Sequence, residues 1–165
     1  MSNVILIGMP SCGKSTVGVL LAKHLGYRFI DSDLLIQEKT GKLLHELISE
    51  RGVDGFLAVE NEVNAAIDAK RTVISTGGSV IFGEQAMQHL RSIGKVIYLK
   101  IDYDTLCARL GDYVHRGVVV REGDTLLDMY RERAPLYEKY ADVTVEQGKS
   151  SALGETLERC IAALQ

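Results

Sequence analysis

Apolar spacing changes sharply along this chain, and each change marks an element boundary. Val4-Ile5-Leu6-Ile7 is a continuous, mostly β-branched apolar run without polar alternation, the pattern of a strand buried on both faces. From Ser15 to Leu25, Val17, Leu20, Leu21 and Leu25 recur at helical spacing, and Gly26 follows as a C-cap. Tyr27 to Ile30 reads as a second strand ending at Asp31. Helices are predicted over 33–39, 43–51 and 57–70, then a third strand over 72–75. The pattern continues with a helix over 84–92, a strand over 95–101 and a helix over 103–110. The stretch 111–123 has no clear period and reads as a loop. A helix over 125–140, a strand over 143–145 and a helix over 152–164 complete the chain. Strands alternating with helices predict a parallel sheet covered on both faces.

At 165 residues the chain has the length of one domain, and no internal repeat or low-complexity linker divides it. Apolar residues make up 46% and charged residues 25%, an ordinary globular balance with one core. No apolar run is long enough to span a membrane, and the N-terminus has neither the basic region nor the cleavage site of a signal peptide. The formal net charge of −3 argues against nucleic acid as the main partner. Cys12, Cys107 and Cys160 are far apart and show no metal-ligand spacing, which fits a reduced, cytoplasmic setting. A monomer is the expected state.

The chemistry begins at the first strand–helix junction. Gly8-Met9-Pro10-Ser11-Cys12-Gly13-Lys14-Ser15 matches the phosphate-loop pattern G-x-x-x-x-G-K-[ST]. Its glycines let successive N–H groups face an anion, and the following helix aims its positive end at the same point. Gly8, Pro10, Ser11, Cys12, Gly13, Lys14, Ser15 and Thr16 are therefore expected to hold ATP, with Lys14 on the β- and γ-phosphates and the Ser15 hydroxyl on Mg²⁺. Cys12, beside a helix N-terminus, reads either as an oxidation-sensitive thiol or as a tolerated variable position.

Two further signals lie at the carboxyl ends of strands, where ligands bind in open parallel sheets. Asp31-Ser32-Asp33 follows the second strand; Asp31 is placed to hold Mg²⁺ or its waters and Asp33 to take a proton from a substrate hydroxyl, although an Asp N-cap explains the same residues. Thr76-Gly77-Gly78-Ser79 follows the third strand, and paired glycines there allow close backbone approach to a ligand.

With Glu60, Arg116 and Arg133-Ala134-Pro135-Leu136-Tyr137, these motifs resemble shikimate kinase, within the nucleoside-monophosphate-kinase-like P-loop proteins, over nearly the whole chain. The resemblance implies one P-loop kinase domain: a three-layer α/β sandwich on a five-stranded parallel sheet of order 2-3-1-4-5. It implies a lid over 111–123, substrate-binding helices over 33–60, and transfer of the γ-phosphoryl group of ATP to a hydroxyl of shikimate. It assigns Asp33 as base or orienter, the Gly77-Gly78 backbone to the substrate pocket, Arg133 to the substrate carboxylate, Arg116 to the transferring phosphoryl group and Arg109 to the adenine. Phosphoryl transfer needs positioning and positive charge, and the arginine fork suits carboxylates and phosphates.

Three positions depart from the family pattern. Leu57 stands where a carboxylate-binding arginine is expected, Ser79 where a third glycine is expected, and the lid reads Arg116-Gly117-Val118-Val119 in place of Arg-Pro-Leu-Leu. Losing one charge-assisted pair costs about 1.5–3 kcal/mol, roughly 10- to 150-fold in affinity. The acceptor is accordingly either shikimate held through Arg133 and Asp33 or another small hydroxy acid or amino acid. The alternative of another class is a nucleotide-binding regulatory P-loop protein; Asp33 and the lid arginines argue against it. A nucleoside-monophosphate kinase would need arginines over 34–60, which offers only Arg51.

Overall fold

The computed structural model describes residues 2–110, 117–148 and 152–165. Five parallel strands form one sheet in the order β2-β3-β1-β4-β5: β1 (Asn3–Ile7), β2 (Arg28–Asp31), β3 (Thr72–Ser75), β4 (Gly94–Lys100) and β5 (Val143–Glu146). β1 lies at the centre, and all five of its residues are buried. Burying an Ile or Leu side chain contributes about 1.5–3 kcal/mol. The unbroken run Val4–Ile7 therefore drives this strand to the middle. Asn3 pins its start: its amide donates to Ala69 O (2.7 Å) and Ile93 O (3.1 Å), and its Oδ1 accepts from Thr72 N (3.0 Å).

Helices α1 (Lys14–Leu25), α2 (Ser32–Thr40), α3 (Leu44–Ala65), α4 (Glu84–Ile93), α5 (Tyr103–Arg109), α6 (Leu126–Tyr140) and α7 (Leu153–Leu164) flank the sheet. Gly26 ends α1 in the left-handed conformation, with N–H groups returned to Ala22 O and Lys23 O. Gly18 sits mid-helix because α1 presses on the sheet there; a Cβ would lie 2.5 Å from Ser75 Oγ and 2.7 Å from the Phe29 ring. α6 opens on a reciprocal Thr125–Asp128 cap and runs through Pro135.

The predicted helices over 43–51 and 57–70 correspond to two helical segments of α3 that meet at a kink at Gly52 (φ 72, ψ 177), and the second ends at Ala65 rather than at Lys70. Beyond Ala65 the chain turns, with Ile67 N bonded to Asn64 O and the Ile67 side chain buried in the main core. The stretch 80–82, where no element was predicted, forms a short 3₁₀ turn (Val80–Phe82).

A second, smaller cluster lies beside the main core. Ile36, Leu44, Leu47, Phe56 and Val63 from α2 and α3 enclose Val119 of the loop before α6. This cluster seats the loop's end on α2 and α3. At Gly117 (φ 66) a Cβ would come 2.5 Å from Leu44 Cβ, so only glycine permits the approach.

Candidate active site

The loop after β1 turns through three positive-φ residues, Gly8 (153°), Ser11 (59°) and Gly13 (92°). A Cβ at Gly8 would meet Leu99 O at 2.7 Å, so the loop lies directly on β4. No side chain caps the start of α1, which leaves its first-turn N–H groups to an anion. The Lys14 ammonium, nearly buried, donates to Gly8 O (2.9 Å) and Met9 O (2.8 Å) and lies 3.6 Å from Cys12 Sγ. Ser75 Oγ holds the base of α1 by donating to Lys14 O (2.8 Å), and Gln147 donates to Cys12 O (2.8 Å). Cys12 itself is fully buried, a structural reason to read its side chain as packing.

Ser15 Oγ donates to Asp31 Oδ2 (2.8 Å), while Asp31 Oδ1 caps α2 by accepting from Asp33 N (2.9 Å) and Leu34 N (3.4 Å). The N-cap reading of Asp31 holds, and its other carboxylate oxygen faces Ser15. Two hard oxygen donors side by side, next to the phosphate loop, fit a Mg²⁺ ion.

A cavity of about 300 Å³ opens beside this loop. Pro10, Ser11, Gly13, Lys14, Ser15 and Thr16 line one wall. Asp33, Gly77, Gly78 and Arg133 line the other, together with Phe56, Glu60, Thr76 and Ser79. Gly77 and Gly78 are spatial requirements as well as turn formers. A Cβ at Gly77 would lie 2.6 Å from Asp33 Oδ1 and 2.8 Å from Glu60 Oε2; one at Gly78 would lie 2.8 Å from Pro10 Cδ. Tyr137 fixes this segment by donating its hydroxyl to Gly78 O, and its ring stacks on Tyr98 with centroids 5.1 Å apart.

Arg133, on α6 after the exposed Arg131 and Glu132, is only 3% exposed. Its guanidinium donates to Val119 O and lies 5.5 Å from the centre of the Phe82 ring. Burial and the neighbouring Asp31 charge raise the Asp33 pKa to about 6, against the pull of Lys14. Burial raises Glu60 to about 7, with Asp33 adding to the rise and the Ser79 hydrogen bond, Arg133 and Lys14 opposing it.

Arg109 ends α5, half-buried and outside the cavity wall. Arg116 lies outside the described residues. Leu57 faces a smaller space beside the main cavity, shared with Phe82, Val119 and Arg133. Arg121 pairs with Asp54 (3.2 Å) at the surface. Sequence reasoning gave Glu60 no role and missed Phe56 as a wall. The signal for Glu60 was available: a carboxylate on the same helical face as Phe56 and Val63 has to be buried with them.

A phosphate loop on a 2-3-1-4-5 sheet, opening into a pocket with an acid and an arginine, defines a P-loop kinase of small molecules. The chain matches the family model described as Shikimate kinase over residues 10–165. It is 36% identical to a shikimate kinase of Thiobacillus denitrificans, covering 93% of this chain and 86% of the relative. It is 37% identical to one of Gloeobacter violaceus, covering 98% and 93%. Among solved structures, shikimate kinase from Acinetobacter baumannii in complex with shikimate superposes with a TM-score of 0.89 at 29% identity, covering 99% of this chain and 93% of that one. The chain belongs to the shikimate kinase family, ATP-dependent phosphotransferases acting on a hydroxyl group.

Proposed function

We propose that the protein transfers the γ-phosphoryl group of ATP to a hydroxyl of shikimate, with Mg²⁺, in the cavity between the phosphate loop and α6. The observation that carries this reading is the joining, in one cavity, of Lys14 and Ser15 on one wall with Asp33 and Arg133 on the other.

The roles follow from position. The loop N–H groups and the N-terminus of α1 take the β- and γ-phosphates. Lys14, now bonded to the carbonyls of Gly8 and Met9, exchanges them for phosphate oxygens without leaving its place. Ser15 and Asp31 hold Mg²⁺, which when bound neutralises charge on the phosphates. Asp33 accepts a hydrogen bond from the acceptor hydroxyl and orients it or takes its proton as the O–P bond forms and the bond to ADP breaks. The Gly77-Gly78 backbone lets the acceptor ring approach, and Arg133 binds its carboxylate. Arg109 packs on the adenine, and Arg116 brings its charge to the phosphoryl group from the lid.

With arginine absent at 57, Arg133 carries the acceptor carboxylate among the described residues lining the main cavity, where the other cation, Lys14, belongs to the phosphates. The three free cysteines support a cytoplasmic setting, and a monomer is the state proposed. No helix among the described residues is long and apolar enough to cross a membrane.

A coupled ADP-release assay with ATP, Mg²⁺ and shikimate tests the reading. Turnover at roughly 1–100 per second is expected. Background rates with shikimate, alongside turnover of another hydroxy acid or an amino acid, would replace the acceptor and leave the nucleotide site intact.

A further inference from the structure

Gln147 follows β5 and lies outside the cavity wall, yet its side-chain amide is bonded at both ends. Its Nε2 donates to Cys12 O of the phosphate loop (2.8 Å), and its Oε1 accepts from Thr156 Oγ1 of α7 (3.4 Å). A carbonyl only accepts, so the amide nitrogen has to face Cys12, and the Thr156 hydroxyl, 1% exposed, favours the same orientation. The backbone of Gln147 is fastened as well, its N–H donating to Lys100 O (3.0 Å) at the end of β4. The end of β4, the segment after β5 and α7 thus converge on one loop carbonyl.

The direction of that carbonyl decides where the next N–H points. The peptide joining Cys12 to Gly13 is trans and planar, so its C=O and N–H point in opposite directions. Cys12 is buried away from the cavity, whereas Gly13 lines it. Drawing Cys12 O toward Gln147 therefore turns the Gly13 N–H to the cavity side, at the start of α1, which no side chain caps. With glycine on one side, this peptide plane rotates easily unless something holds it. Lys14 also holds loop carbonyls, those of Gly8 and Met9, but it exchanges them for phosphate. Gln147 does not face the ligand and keeps its bond throughout.

We propose that Gln147 is a positioning residue of the phosphate site: it fixes the Cys12–Gly13 peptide so that the Gly13 N–H is aimed at the nucleotide's phosphates before they bind. The phosphates then meet an oriented dipole and do not have to turn one, which strengthens their binding and leaves that of the base unchanged. The inference rests on the reading of this loop as the ATP site and needs nothing of the acceptor.

The test is calorimetric titration of the full chain with ADP and Mg²⁺, and separately with adenosine, in the wild type, Q147M and T156V. Q147M keeps the length of the side chain and removes the donor. It should weaken ADP roughly 2- to 13-fold, the span of one neutral hydrogen bond, and leave adenosine unchanged. T156V keeps Gln147 but frees its amide, and should give the same pattern with a smaller loss. In steady state, KM for ATP should rise in Q147M while KM for shikimate stays. Equal losses on ADP and adenosine would make Gln147 a general support of the fold, and wild-type ADP binding in Q147M would mean that the peptide is oriented without it. Either result overturns the inference. Should Q147M not fold, T156V decides, and unchanged ADP binding there overturns it. A wild type that does not bind ADP sinks the nucleotide reading as well.

Discussion

Glu60 and Asp33 are acids placed where their ionised forms are disfavoured, and the cost is open to measurement. The folded-state pKa of Glu60, about 7, lies above its ordinary value of 4.5. Its contribution to stability is therefore complete below about pH 4.5 and is lost as pH rises through 7. In the ligand-free protein, E60Q should gain stability over wild type across that window, by on the order of 1–3 kcal/mol at pH 8. Urea unfolding of both proteins at pH 5 and pH 8 checks this, and a pH-independent difference would contradict it. The groups facing Glu60 in that comparison are Asp33, Arg133, Lys14 and Ser79. A second prediction concerns Leu57, which is half-buried beside Arg133. L57R should lower KM for shikimate by about 10-fold or more if the new guanidinium reaches the carboxylate, as one added charge-assisted pair allows. Steady-state kinetics on the variant decides it, and an unchanged or raised KM would show that the acceptor carboxylate lies elsewhere.

Among the elements, α3 carries the most information about how the site is assembled. Its break at Gly52 has φ 72 and ψ 177, a region essentially reserved for glycine. G52A should cost about 1–3 kcal/mol, read as a lowered midpoint in thermal or urea unfolding. A neutral substitution would mean that the break relaxes without strain. The sequence marked helices on both sides of this point, and one residue's backbone angles set how they join. The end of α3 was overrun for a related reason. The residues beyond Ala65 keep helical spacing of apolar side chains, yet Ile67 is taken into the main core by a turn. By contrast, α1 was legible almost to the residue, since the phosphate-loop motif fixes its start and Gly26 its end.

For the whole molecule, the phosphate-loop wall of the cavity springs from the central sheet, while the facing wall is built from α2, α3, α6 and the loop that Val119 anchors. Saturation with a non-hydrolysable ATP analogue and Mg²⁺ at about 100 times its Kd should stabilise the fold by about 2.7 kcal/mol. For a domain of this size that is roughly 5–10 °C in Tm. K14M should abolish most of this shift, because Lys14 sits inside the loop that holds the phosphates. Calorimetry on the two proteins checks both statements; a full shift in K14M would move the nucleotide away from this loop.

What the sequence determined by itself is local. A β-branched apolar run, a glycine-lysine-serine loop and the acids and glycines at strand ends announce a parallel sheet and a phosphate site, because each depends on residues adjacent in the chain. The tertiary structure decided what depends on distant residues meeting. It buried Arg133 in the cavity wall although Arg131 and Glu132 before it on α6 are exposed. It paired Ser15 with Asp31, and it set Ser79 against Glu60. Spacing can mark a charge for burial, as at Glu60, but which partner the charge finds is not encoded there, since that arises only when separate elements close on the same space.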